Sequence, residues 1–195
     1  MSEMKNVCVY SASSASVDPR FLQCAESLGT LLAQNHMRLV NGAGSEGLMR
    51  ACADGVLRQG GEVTGVIPRF MVENGWGYER LTETVITETM HERKETMIRL
   101  ADAIVALPGG CGTMEELLEA ITWKQLGLHR NPIVILNTDG YYDPLLAMLR
   151  NAVDERFMRP QHALLWQVAT TPEEAIQQIM TTPQWAEDAI KTARL

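Results

Sequence analysis

The chain has 195 residues, 46% of them hydrophobic, which suffices for one buried core and falls short of what two independent domains need. Its formal net charge of -7 excludes a protein built to wrap nucleic acid, which relies on broad basic surfaces, while leaving room for a local cationic pocket that takes a compact anion. No run approaches the ~20 apolar residues of a membrane span, and the start MSEMKNVCVY does not read as the basic start and long apolar run of a signal peptide.

The first apolar run, Asn6–Tyr10, reads as a strand. It leads into Ser11, Ala12, Ser13 and Ser14, whose hydroxyls suit hydrogen bonds to phosphate or ribose and equally suit a solvated connection. Asp18 before Pro19 marks a helix start. A second strand at 37–40 runs into Gly42-Ala43-Gly44-Ser45-Glu46-Gly47, a G-x-G-x-x-G in strand-to-helix position. Gly42 and Gly44 are therefore candidate ligand contacts, though a tight turn with close helix packing accounts for them as well. A dinucleotide fingerprint does not fit, because the next strand, at 63–67, leads to Pro68 where an acidic ribose-binding residue belongs. Residues 69–81, with Gly75, Trp76, Gly77 and Tyr78, read as the longest loop, and such loops often act as lids. Residues 84–87 are either a short strand or extended chain.

Thr89 with Glu92 starts the next helix, whose inward stripe is Met90, Arg93, Lys94, Met97, Ile98 and Ala101. Burying unpaired charge is costly, so Arg93 and Lys94 are expected to meet an acid, a ligand phosphate or both, unless their stems carry the charges to solvent. The strand at 103–107 ends in the strongest signal: Pro108-Gly109-Gly110-Cys111-Gly112-Thr113-Met114-Glu115-Glu116. Glycines running into a helix start aim several backbone N–H groups at one small volume, which makes an anion cradle. Thr113 with Glu116 also matches a capping box, T-x-x-E, and the two roles are compatible. Strands at 133–137 and 166–169, a helix start at Asp143 before Pro144, and short helices opened by Pro172 and Pro183 complete the chain, with the final residues loosely held.

Strands alternating with helices predict an α/β fold: a doubly wound, Rossmann-like parallel sheet with helices on both faces, in a single domain over residues 1–195 with short C-terminal helices. Ligands then bind beyond the carboxyl ends of the strands, where the winding reverses. Cys8, Cys24, Cys52 and Cys111 are scattered and do not cluster with His36, His91, His129 or His162. That spacing predicts neither a metal site nor a disulfide framework, and free thiols fit a cytoplasmic protein.

These residues resemble the LOG ("Lonely Guy") family, phosphoribohydrolases that release cytokinin bases from riboside monophosphates and are often labelled lysine decarboxylase-like. The family's P-G-G-x-G-T-x-x-E motif is matched by Pro108, Gly109, Gly110, Gly112, Thr113 and Glu116, and its M-H-x-R-K element by Met90, His91, Arg93 and Lys94. Similarity extends over nearly the whole chain, including Gly47-Leu48-Met49, Gly65-Val66-Ile67-Pro68 and Ile121-Thr122-Trp123. The resemblance implies a homodimer that needs no cofactor and binds AMP or a related nucleoside monophosphate over the glycine-rich loop. It implies Arg93 and Glu116 as the catalytic pair, with Lys94, Gly109, Gly110, Gly112, Thr113 and Glu115 binding substrate. Glu79 and Thr122 match further substrate contacts loosely, and Ser13, Gly42 and Gly44 stand on the other two loops. The chain departs from the family pattern at Ala12, Ala43 and Arg50, each standing where the family usually has glycine.

Cleaving a ribosyl C–N bond builds positive charge on the sugar, so a fixed carboxylate such as Glu116 lowers the barrier; Glu79, Glu115 and Glu119 are other carboxylates in range. Arg93 holds its proton too tightly to act as an acid and suits orientation and charge pairing. A pyridoxal-dependent decarboxylase would need a Schiff-base lysine, and of Lys5, Lys94, Lys124 and Lys191 only Lys94 lies near the motifs. The alternative to an enzyme is a nucleotide carrier or sensor that uses the same cradle without chemistry.

Overall fold

The computed structural model describes residues 5–187 and 189–193. Its strands are β1 (Asn6–Tyr10), β2 (Arg38–Asn41), β3 (Val63–Pro68), β4 (Glu83–Thr87), β5 (Ala103–Ala106), β6 (Ile133–Leu136) and β7 (Gln167–Ala169). Its helices are α1 (Pro19–Gln34), α2 (Gly47–Arg58), α3 (Arg69–Glu73), α4 (Met90–Leu100), α5 (Cys111–Gln125), α6 (Asp143–Asp154), α7 (Pro172–Thr181) and α8 (Ala189–Ala193). The strands form one parallel sheet in the order β4-β3-β2-β1-β5-β6-β7, the doubly wound arrangement expected from the sequence. Cys8 in β1 is in register with Val40 on one side and Ile104 on the other. The winding reverses between β1 and β5, and the loops leaving their carboxyl ends part there into a crevice.

Alternation along each strand divides the core between the two faces. Val7 and Val9, Ala103 and Val105, and Val134 and Leu136 face the layer that contains α1, α2 and α7. Cys8 and Tyr10, Ile104 and Ala106, and Ile133 and Ile135 face the layer that contains α4 and α5. Both faces are covered, so the strands read as continuous apolar runs. In the first layer α1 and α2 pack backbone to backbone through Gly29 and Gly55. A Cβ at Gly29 would stand 2.0 Å from the carbonyl oxygen of Cys52, and one at Gly55 would stand 2.3 Å from that of Glu26.

Several local expectations are corrected, and one left open, at 84–87, is decided. Residues 69–81 are not wholly loop: α3 occupies the first part, and Gly77 bridges back to Gly44. Residues 84–87 belong to β4. Thr113 does not cap α5, which begins at Cys111 with Gly110 at its N-cap and no capping side chain, because the glycines admit the helical turn earlier than the T-x-x-E pattern suggests. Asp143 is the first helical residue of α6, not its cap; its carboxylate accepts from Asn137 Nδ2 at 2.8 Å. Pro183 opens no helix, and the next one is α8. Asp18, Thr89 and Thr171 do cap α1, α4 and α7, each accepting from a backbone N–H two or three residues on. The expectation for the final residues concerns 194 and 195, which lie outside the described residues. Among the described residues, no helix is long and apolar enough to cross a membrane.

Candidate functional site

At the carboxyl ends of the strands lies a cavity of about 760 Å³, of the size that takes a small organic ligand. The loop after β1 contributes Ser11, Ser13 and Ser14; the loop after β2 contributes Gly42, Gly44, Ser45 and Glu46. From the β5–α5 junction come Gly110, Gly112, Thr113, Glu115 and Glu116, and from α4 come Met90 and Arg93.

Arg93 is the centre of this arrangement. Thr89 starts α4 so that positions 93 and 94 turn inward one turn later, and Arg93 is only 6% exposed. Its guanidinium donates through Nε to the Val66 carbonyl at 3.0 Å and through Nη2 to the Gly42 carbonyl at 3.4 Å. Its Nη1 donates to Glu116 Oε1 at 3.1 Å. One side chain therefore ties the ends of β2 and β3 to α5. Glycine at position 42 is required for this approach, since a Cβ there would lie 1.9 Å from Nη2.

Glu116 lies on the second turn of α5 and is buried. Burial raises its pKa above the usual 4.5, while the Arg93 charge pulls it back down. The pair answers the sequence expectation that buried cations must meet acids. Lys94 does the same outside the cavity lining: its ammonium bonds to Glu115 and lies 3.1 Å from Glu119 Oε2. Burial lowers the Lys94 pKa, but these carboxylates outweigh it and leave the pKa raised.

The N-terminus of α5 carries no side-chain cap and opens into the same cavity. Uncapped amides and the helix dipole together suit an anion. Thr113 turns its hydroxyl back over Gly109, where a Cβ would come within 2.1 Å of Oγ1, so Gly109 shapes the turn beneath the cavity. Among the described residues, no group of three His, Cys, Asp or Glu side chains is arranged to hold a metal ion.

Of the sequence-predicted residues, Ser13, Gly42, Gly44, Arg93, Gly110, Gly112, Thr113, Glu115 and Glu116 line this one cavity, whereas Lys94, Gly109, Glu79 and Thr122 do not. Glu79 is exposed beyond the Gly77 bridge, and the exposed Thr122 hydroxyl donates to the Leu118 carbonyl of its own helix. Ser11 and Ser14, whose hydroxyls the sequence offered for phosphate or ribose, also line the cavity, whereas sequence reasoning did not assign Ser45, Glu46, Met49, Met71 or Trp76 to the site. For Trp76 the signal was the loop flagged as a lid; for the others no local pattern separates cavity from surface. The departures from the family pattern are also placed. Ala43 takes the left-handed φ of +59° that favours glycine, and its N–H donates to Asn41 Oδ1 at 2.9 Å. Arg50 lies 3.5 Å from Asp54 and stacks over the Tyr78 ring, away from the cavity lining.

Comparison with known proteins gives consistent matches. The family model described as "Possible lysine decarboxylase" matches residues 49–179. Cytokinin riboside 5′-monophosphate phosphoribohydrolase LOG7 of Arabidopsis thaliana is 42% identical over 178 residues, covering 91% of this chain and 82% of that protein. LOG5 of the same plant is 40% identical over 178 residues, covering 91% and 78%. Among solved structures, that of TM1055 is 29% identical with a TM-score of 0.72, covering 91% of this chain and 99% of that one. A molybdenum cofactor binding protein from Rippkaea orientalis has a TM-score of 0.71 at 21% identity, over 93% and 98% of the chains, a likeness of fold alone.

Proposed function

The chain belongs to the LOG family of phosphoribohydrolases, and from that premise we propose that its cavity binds a nucleoside 5′-monophosphate and that Arg93 and Glu116 cleave the N-glycosidic bond. The products are the free base and ribose 5-phosphate. The observation that carries this reading is the buried Arg93–Glu116 pair, 3.1 Å apart, in one cavity with the uncapped start of α5.

The phosphate sits on the amides of Cys111, Gly112 and Thr113, where the helix dipole favours negative charge; Ser13 adds a hydroxyl. Glu116, one turn further along α5, then faces the ribose. As the C–N bond breaks, its electron pair leaves with the base and the sugar gains oxocarbenium character. The carboxylate stabilises that charge and orients the water that attacks C1′. Arg93 holds Glu116 in place and keeps it ionised against the pull of burial. Gly42, Gly44, Gly110 and Gly112 let the backbone approach the substrate.

Lys94, Gly109, Glu115, Glu79 and Thr122, which the family likeness implies as substrate contacts, enter this scheme differently. Gly109 shapes the cradle, Lys94 anchors Glu115 and Glu119, and Glu79 and Thr122 reach substrate only if an assembly or loop movement brings them to it. The decarboxylase description gains no support from the site, since Lys94 is a paired ammonium and a Schiff base needs a free amine. A homodimer acting in the cytoplasm on a small molecule, without nucleic acid as partner, completes the proposal; the free cysteines support the compartment, the negative net charge speaks against nucleic acid, and the homodimer follows from the family likeness.

The test is incubation with AMP and a panel of other 5′-monophosphates, with free base and ribose 5-phosphate measured as products. Release from at least one is expected. Binding across the panel with no product would favour the carrier reading, which at present rests on fold likeness to molybdenum cofactor proteins at 21% identity.

A further inference from the structure

We propose that Trp76 stacks on the base of the bound nucleotide and ranks purine above pyrimidine 5′-monophosphates. The proposal rests on the hydrolase reading for its substrate, but its evidence comes from other residues. In sheet order the cavity has two unlike halves. Ser11, Ser13, Ser14 and the amides that open α5 come from the β1 and β5 loops, with Arg93 and Glu116 between them and the rest, while Ser45 and Glu46 are the polar side chains that the β2 loop adds. Met49, Ile67, Met71, Met90 and Trp76 come from the elements on the β2-to-β4 side. A phosphate and ribose held on the polar half leave the base to the apolar one.

Trp76 is a large aromatic left 54% exposed on that half, yet its place is fixed. Its backbone N–H donates to the Met71 carbonyl at 3.0 Å, and its backbone carbonyl accepts from Ser45 N at 3.2 Å. The adjacent Gly77 bridges to Gly44, and the indole meets Phe70 edge-on with ring centroids 6.5 Å apart. An aromatic held in this way gives up little freedom when a ligand covers it. Base stacking on aromatic side chains is strong and tolerant of sequence, because every base presents a π face. Two fused rings cover more of an indole than one ring does, so purines gain more. Met49, Met71 and Met90 supply flexible, polarisable walls that fit a flat ring without dictating its hydrogen bonds.

The experiment compares wild type, Trp76→Ala and Trp76→Phe on AMP, GMP, CMP and UMP, together with AMP titrations followed by tryptophan fluorescence. Trp76→Ala should raise KM for AMP about tenfold or more with kcat within about twofold, and the purine preference in kcat/KM should collapse. Trp76→Phe should keep most of both. AMP should quench wild-type fluorescence by more than it quenches Trp76→Phe. If AMP quenches Trp76 but nothing is hydrolysed, the hydrolase reading fails and the stacking proposal stands. Turnover with an unchanged purine preference in Trp76→Ala would overturn it. If Trp76→Ala does not fold, equal quenching of wild type and Trp76→Phe would overturn it as well.

Discussion

At the scale of single residues, two buried charges on α5 behave in opposite ways. Glu116 has a cationic partner, and the role proposed for it requires the ionised form. Glu116→Gln should lower kcat by about a hundredfold or more, the loss expected when one electrostatic contact worth about 3 to 4 kcal/mol is removed, while calorimetry still detects AMP binding. Because burial raises the Glu116 pKa above the usual 4.5, kcat/KM should begin to fall on acidification above the ordinary carboxylate range. The residual rate of Glu116→Gln should lack that limb. A raised folded-state pKa also means that the contribution of Glu116 to stability is fullest at low pH and is lost as pH rises through that value. Lys124 is buried to 1% exposure, and burial lowers its pKa from 10.5 to about 8. Here the sign reverses: a lowered folded-state pKa makes stability rise with pH between about 8 and 10.5. Lys124→Met should remove that rise and stabilise the protein at pH 7 by on the order of 3 kcal/mol, as read from urea melts at several pH values. The sequence marked Arg93, Lys94 and Glu116 through motif and spacing. It was silent on Lys124, because a lysine near the end of a helix looks solvated until the neighbours that bury it are known.

At the scale of elements, the sequence foretold strands and caps better than it foretold contacts between helices. Gly29 and Gly55 look like weak points in helical stretches, but they allow α1 and α2 to touch backbone to backbone. Gly29→Ala should lower stability by about 2 to 3 kcal/mol, measured as a drop in the urea midpoint, because carbonyl oxygens on α2 cannot move aside as a flexible side chain would. The end of α1 offers the opposite case. His36 takes a φ of +55°, and Met37 N–H returns to the Leu32 carbonyl at 2.9 Å, the geometry of a Schellman cap that favours glycine. His36→Gly should therefore raise stability by up to about 1 kcal/mol and Tm by roughly 2 to 4 °C. The missed cap at Thr113 follows the same logic, since T-x-x-E fixes a spacing but not which residue begins the helix.

At the scale of the whole molecule, one sheet organises both core layers and the site, so ligand and fold are linked. AMP at a hundredfold excess over its Kd should stabilise the native state by about 2.7 kcal/mol, visible as a rise in Tm of several degrees. Arg93→Ala should abolish most of that rise, since it frees the ends of β2 and β3 from α5 and leaves Glu116 without its partner. Sequence alone determined the parallel α/β fold and the glycine-rich run into α5, because these depend on periodicities and short motifs that neighbouring residues carry by themselves, whereas the strand order that puts the reversal between β1 and β5 came from the tertiary structure. Only the tertiary structure decided that Arg93 pairs with Glu116, that Lys94 turns to Glu115 and Glu119, that Ala43 accepts a backbone usually left to glycine, and that Trp76 lines the cavity. Each of these depends on distances between residues far apart in the chain, and packing sets those distances where no local pattern can.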